Sequence, residues 1–444
     1  MSLAPPPAAT ASDLLEFLAR SPTPYHAVRE AARRLEAAGY RALDEREPFA
    51  LEAGARAYVV RGGGTIVALE LGTRPPADGG FVILGAHTDS PNLRLKPVPD
   101  LVAHGHRQLA VEPYGGVLLH TWLDRDLSLA GRVTLADGTT RLIHVERPVA
   151  RVSSLAIHLD RAVNTSGLVL NPQTHLPPTF SLVDGTAEGL GLEAFVAAAL
   201  ATGGETLTAK DVAAFDLMLL DAAPPARLGA GEALLASARL DDLAGSHAAL
   251  SALLTAGPPA AATRVVALFD HEECGSQSLA GAKSRLLASV LERATMAVTP
   301  SHDAFARAAA RSILVSVDMA HALHPNYADK HDRQHAPRLG GGPVLKVNTN
   351  MSYASDAPSE AAFLAACAAG GIPTQRFVTR SDVPCGSTIG PMSAALLGVR
   401  AVDVGNPMLS MHSCREVAAA ADAPHLVQAL AAMLRGDHVP AAEA

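Results

Sequence analysis

Five short segments of this chain carry acids and histidines where apolar runs end or begin: His87-Thr-Asp89, Asp241-Asp242, Glu272-Glu273, Asp318 and His412. Zinc takes imidazole nitrogen and carboxylate oxygen as ligands. A bridged pair of ions needs about five such side chains, plus a base that binds no metal. The chain offers that set, and the chemistry it would support is hydrolysis by a pair of metal ions.

Each segment also has a plainer explanation. His87 and Asp89 stand two apart beyond an apolar run, so on extended backbone they share a face. One could bind a metal while the other orients the imidazole, or both could be solvated at a strand end. Glu272 and Glu273 repel each other at the end of Leu268-Phe269-Asp270. Neighbours on extended backbone diverge, so one can hold metal while the other faces water as a base; a solvated acidic loop tip is the alternative. Asp241-Asp242 precedes an apolar helical stretch and could simply cap it. Asp318 closes Ile313-Leu-Val-Ser-Val317, and His412 alone would be an ordinary loop histidine. The order His-x-Asp, Asp, Glu-Glu, Asp, His is that of the ligands in co-catalytic zinc exopeptidases, and it is more specific than any member.

Placing these groups together requires a frame of alternating strands and helices. Phe81-Val-Ile-Leu-Gly-Ala86 reads as a buried strand ending at His87, and Thr263–Phe269, Ile313–Val317 and Val399–Val404 read as further strands. Ala57–Val60 and Thr65–Leu69 read as a strand pair joined at Gly62-Gly-Gly64. Helices are expected over Ser12–Gly39, capped by Ser12 and broken at Ser21-Pro-Thr-Pro24, and over Leu243–Leu254, Ser359–Ala369 and Ala423–Leu434, the last capped by Asp422. Between Pro91 and Gly231 the texture changes. Arg132–Val145 is a hairpin pattern turning at Asp137-Gly138, and one Ala-rich helix is expected over Leu190–Leu200. In open α/β sheets, sites form beyond the carboxyl ends of the strands. The expected architecture is therefore an α/β sandwich, residues 1–90 and 233–444, interrupted by a mainly β domain, residues 91–232; with the ligand order above it resembles the three-layer α/β/α catalytic domain of zinc exopeptidases.

The bulk properties narrow the partners. At 444 residues and 48% hydrophobic residues the chain can bury a large core, and a formal charge of -8 disfavours nucleic acid or an anionic membrane as a main partner. Four cysteines without CxxC pairing read as reduced thiols. With no secretory signal and no apolar run near the ~18 residues of a membrane span, a cytoplasmic protein is expected.

The wording of the motifs is more specific than their spacing. Gly85-Ala-His-Thr-Asp-Ser-Pro-Asn92, Asp270-His-Glu-Glu-Cys-Gly-Ser276, Val317-Asp-Met-Ala-His-Ala-Leu-His-Pro-Asn-Tyr327, Pro384-Cys-Gly-Ser-Thr-Ile-Gly-Pro391 and Met411-His-Ser-Cys-Arg-Glu416 closely resemble the aspartyl aminopeptidase family, over about Phe17 to Leu434. Cys274 departs from the aliphatic residue usual at its position. The resemblance implies a zinc-dependent enzyme that removes N-terminal aspartate or glutamate from peptides. It implies two divalent ions, most simply Zn2+, with His87, Asp241 and Asp318 on one and Asp241, Glu273 and His412 on the other. Glu272 would be the general base and Asp89 would orient His87. Lys346, Tyr353 and His321 would face the substrate, and His158 would reach a neighbouring subunit's site. The inserted domain would then serve as lid and oligomer contact in a tetrahedral dodecamer.

Other motifs are set aside. His104-Gly-His106 lies among polar residues of the β insert, His331 and His335 lack the Glu of the zincin pattern, and a Cys385–His412 thiol pair would leave the carboxylates unexplained. The alternatives to the aminopeptidase are a related two-zinc deacylase or carboxypeptidase, and a non-catalytic assembly or cargo protein on the same fold.

Overall fold

The computed structural model describes residues 7–183, 191–201 and 205–436. Its contacts divide the chain into two units, Met1–Asp89 with Pro225–Met411 and Glu416–Ala444, and Ser90–Pro224 with His412–Arg415.

The first unit is organised by strand Phe81–His87, in which all seven residues are buried. A strand apolar on both sides must be covered on both faces. It pairs in parallel with Thr263–Phe269 on one side and Ile313–Val317 on the other, and Arg400–Gly405 continues the parallel set. Antiparallel strands extend both margins of this nine-stranded sheet, Arg56–Arg61 and Thr65–Glu70 at one and Val344–Val347 at the other. Period-two alternation sends Val82, Leu84, Val266, Val315 and Val402 to one face. There they meet the helices Pro24–Ala37, Leu240–Thr255, Ala357–Ala369 and Asp422–Leu434. Phe81, Ile83, Val265, Ala267 and Leu314 point the other way, onto Leu286–Val298 and Ile389–Leu397. The result is a three-layer α/β/α sandwich.

Local sequence accounts for most boundaries. The chain breaks between Pro7–Arg20 and Pro24–Ala37, where Thr23 caps the second helix by accepting the His26 N–H and Pro24 fills the first turn. The Gly62–Gly64 turn joins the two expected strands, which pair antiparallel. Two expected caps are corrected. Ser12 lies inside the first helix, which already begins at Pro7. Asp422 does not cap the last helix; its carboxylate accepts the Gly340 and Gly342 N–H groups, each at 2.8 Å, tying a distant loop instead.

The second unit is an antiparallel six-stranded sheet ordered Thr140–Ala150, Leu127–Leu135, Val212–Asp221, Asn92–Ala103, His106–Tyr114, Thr179–Leu182. Its core holds Trp122, Leu129, Val133, Leu217 and Leu219, with Val196 from helix Leu192–Leu200; Leu190, the expected start of that helix, lies outside the described residues. The Asp137-Gly138 turn forms as its sequence requires: Gly138 adopts φ 85° and the Asp137 carboxylate accepts the Thr139 N–H at 2.8 Å. Residues 225–232, grouped with the insert on sequence, fall with the first unit, where Ala226–Leu228 pairs with Leu234–Ser237. Among the described residues no helix is long and apolar enough to cross a membrane.

Candidate metal centre

The chain runs from the Phe81–His87 strand to Thr263–Phe269 on one side of it, then to Ile313–Val317 on the other. That reversal places a cleft at the carboxyl end of the middle strand. His87 is the last residue of that strand, Glu272 and Glu273 lie three and four residues past Phe269, and Asp318 directly follows Val317. Four of the sequence-derived positions are therefore brought to one end of one sheet.

Asp241 and Asp242 reach the same place from the start of helix Leu240–Thr255. Neither caps it. Arg239 before them adopts φ 64°, and both aspartates depart from helical angles across a cis peptide bond, so the regular helix begins only after Asp242. Their side chains are buried, with Asp241 2% and Asp242 0% exposed. The His87 Nε2 lies 3.5 Å from an Asp241 oxygen. Ligand atoms of His87, Asp241 and Glu273 lie within 4.8 Å of one another, as do those of Asp241, Asp242 and Asp318. Asp241 is common to both groups, which is the arrangement a bridging carboxylate requires.

A surrounding layer fixes these groups. The His87 Nδ1 faces the Asp89 carbonyl at 3.0 Å, with the Asp89 carboxylate at 3.5 Å. A carbonyl can only accept, so this bond puts a proton on Nδ1 and aims Nε2 at Asp241, where in the metal-free protein it carries a second proton that a metal ion would replace. Asp89 itself accepts the backbone N–H groups of Glu272 and Glu273. Asp242 accepts the His87 N–H at 3.2 Å, Ser246 donates to the His87 carbonyl at 2.6 Å, and Glu416 accepts the Asp241 N–H at 3.1 Å. The sequence reading missed Ser246 and Glu416. Glu416 closes a motif already recognised, and Ser246 lies one helical turn after Asp242.

Burial pushes the Glu272 carboxyl up to about 7, with Asp318, Asp89 and Asp241 adding repulsion. Asp318 is raised by burial to about 6 despite the Lys346 ammonium beside it. Glu273 and Asp242 are held well above the carboxylate range, first by burial and then by their acidic neighbours. His87 is pulled the other way: burial alone would lower it, but Asp241 and Asp89 hold it well above the usual imidazole value. One buried oxygen of Asp242, Oδ1, has no hydrogen-bond partner. So many desolvated carboxylates are costly unless positive charge joins them. The donor set of imidazole nitrogen and carboxylate oxygen fits zinc.

The remaining sequence-derived residues fall in several places. Lys346 is fully buried, its Nζ 3.4 Å from Asp318 and donating to the Met319 carbonyl at 3.2 Å. Tyr353 is buried with its ring 5.0 Å from that ammonium. His321 is exposed and meets the edge of Phe377 at 5.6 Å. His158 stands in an exposed turn of the second unit. His412 also belongs to the second unit, with φ 67° and its Nδ1 3.0 Å from the Gly116 carbonyl. The motifs set aside on sequence have local explanations: His104 and Gly105 form a hairpin turn, and His335 pairs with Asp332 at 2.7 Å.

Comparison with known proteins bears on the same frame. A family model described as aminopeptidase I zinc metalloprotease (M18) matches residues 17–433. A probable M18 family aminopeptidase 2 of Streptomyces avermitilis is 50% identical over 96% of this chain and 97% of its own length. A protein of the same name from Pseudomonas aeruginosa is 46% identical over 96% and 98%. Among solved structures, Ape4 in a complex with Nbr1 superposes with TM-score 0.93 at 37% identity, covering 97% of this chain and 86% of that one. The mApe1 dodecamer of S. cerevesiae gives TM-score 0.83 at 28% identity over 97% and 98%.

Proposed function

The chain belongs to the M18 family of zinc aminopeptidases, and from that premise we propose that it removes N-terminal aspartate or glutamate from peptides. The observation that supports the reading is that Asp241 belongs to two groups of candidate ligands, His87–Asp241–Glu273 and Asp241–Asp242–Asp318. In this reading two divalent ions are held, one by His87, Asp241 and Asp318, the other by Asp241, Glu273 and His412. Zinc when bound supplies Lewis acidity toward the scissile carbonyl and acidifies water.

The protein's own groups supply the rest. Glu272 takes a proton from the attacking water and returns it to the departing amine. Burial raises its carboxyl in the metal-free protein, and bound cations would draw it back toward the ionised form that accepts a proton. Asp89 holds the Glu272 backbone and the His87 ring in one arrangement. Lys346 and Tyr353 lie beside Asp318 and contribute to recognising the substrate's acidic side chain, with His321 beyond them.

Two elements of the second unit complete the proposal. It acts as lid and oligomer contact, with His158 supplied to a neighbouring subunit. Leu155, Leu159 and Val169 there are 65%, 75% and 85% exposed, apolar surface that association would cover. The dodecamer formed by mApe1 makes a homododecamer the assembly proposed for this chain, with the cytoplasm as its place of action.

The test compares aspartyl, glutamyl, asparaginyl and alanyl peptides as substrates of the zinc-loaded protein. Acidic preference supports the reading; equal or better cleavage of the neutral peptides removes it. Sedimentation or light scattering reports the assembly independently.

A further inference from the structure

A cavity of about 290 Å³ opens in the first unit, separate from the carboxylate cluster and with opposite chemistry. Its walls carry His321, His324, Lys330, His331 and Arg380, and no carboxylate. The remainder is mostly apolar, with Phe377 at one wall and Met408 and Leu409 at another. Ligand pockets of ~300–1,000 Å³ are typical, so this one suits one or two residues rather than a long chain.

The cavity is tied to the metal centre by continuous structure. Three residues after Asp318, His321 ends the short strand Ala320–His321, which pairs with Pro407–Leu409. The Phe377 ring in the cavity wall lies 5.6 Å from the His321 ring and 6.4 Å from that of Tyr353, which in turn is 5.0 Å from the Lys346 ammonium that pairs with Asp318. Lys346 is committed to Asp318 and does not line the cavity, whose cations are Lys330 and Arg380 with three histidines.

Those cations have neighbours of opposite charge, but outside the lining. Arg380 pairs with Asp382 at 2.7 Å and donates to the Asp329 carbonyl, and Lys330 lies 3.6 Å from Asp329. The Asp382 and Asp329 side chains are 65% and 71% exposed, so solvent screens them. An incoming carboxylate can exchange for such pairs at small cost, while the imidazoles add donors.

We propose that this cavity is a second anion subsite, which binds a carboxylate of the peptide downstream of the N-terminal residue. The inference rests on the aminopeptidase reading above and adds a second acidic group to its substrate class. Two parts of a peptide present that chemistry: an acidic side chain at the second position, or the C-terminal carboxylate of a short peptide.

The experiment uses the zinc-loaded full chain and matched peptides. Asp-Glu-Ala-amide is compared with Asp-Gln-Ala-amide for the side chain, and Asp-Ala-Ala with its amide for the terminus. The expected result is a roughly tenfold higher kcat/KM for the charged member of one pair, set by KM, as one charge-assisted hydrogen bond supplies. Arg380→Met and Lys330→Met should each shrink that ratio several-fold, and Arg380→Lys should restore part of it. The pair that responds identifies the source of the carboxylate. No charge preference in either pair, or a ratio unmoved in both methionine variants, overturns the proposal. If N-terminal acidic preference itself fails, the same pairs built on the residue that is cleaved still read this subsite. The two ideas therefore fail separately.

Discussion

The carboxylate of Asp89 accepts the backbone N–H of Glu272 at 3.0 Å, and with its other oxygen the N–H of Glu273 at 3.1 Å. Asp89 is thus more than a partner of the His87 ring. It joins the end of one strand to the loop after its neighbour, and it fixes two acidic side chains through their own main chain. Replacing Asp89 by Asn substitutes a donor for one of two acceptors and leaves a backbone N–H without its bond. Asp89→Asn should fold, bind zinc ~10–100-fold more weakly and lose activity in parallel, as partners of metal ligands generally do. Zinc titration with parallel kinetics checks this; unchanged zinc affinity would restrict Asp89 to a scaffolding role.

Glu272 and Glu273 are expected to fail differently. Glu272→Gln should retain zinc and lose ~10²–10⁴-fold in kcat, the range of general acid–base catalysis. Glu273→Gln should lose zinc first. Metal content by atomic absorption separates the two, and a fully active Glu272→Gln protein would remove Glu272 as the base.

The metal-free protein should grow less stable as pH rises. Glu272 and Asp318 have folded values of about 7 and about 6, above those of unfolded carboxylates. The native state therefore holds more protons than the unfolded chain between pH ~4.5 and ~7, and stability falls with rising pH across that window. His87, whose folded value is also raised, acts in the same direction, since its stabilisation is lost as pH rises through that value. Melting of the chelated protein at pH 5 and pH 7.5 measures the effect. Zinc should abolish or reverse it, because binding displaces those protons.

Cysteine reactivity should follow exposure. Cys274 is exposed beside Glu273, whereas Cys367 is buried and its thiol is pushed up to about 12. Since the thiolate is the reactive form, an alkylating reagent should modify Cys274 in the native protein and Cys367 only after unfolding. Mass spectrometry of the digested, labelled protein decides it.

Much of the frame was legible because its signals are local. A run such as Phe81–Ala86 with a histidine at its end specifies both a buried strand and the place where that strand stops. Spacing alone left Asp241-Asp242 ambiguous, since aspartate before an apolar helix is what a cap looks like. The left-handed backbone at Arg239 and the non-helical turn through both aspartates have no sequence signature comparable to a glycine. Asp422 misled for the same reason: its acceptors serve Gly340 and Gly342, some eighty residues away. The cationic cavity was illegible in any single segment, because its donors come from two separate stretches, His321–His331 and Arg380.

Hydrolysis of an aspartyl peptide by the zinc-loaded, chelated and zinc-restored protein, alongside the same peptide acetylated at its α-amine, tests the whole account at once. Turnover should vanish on chelation, return with about two zinc ions per chain, and be absent with the blocked amine. Equal cleavage of the acetylated peptide, or full turnover after complete removal of metal, would contradict it.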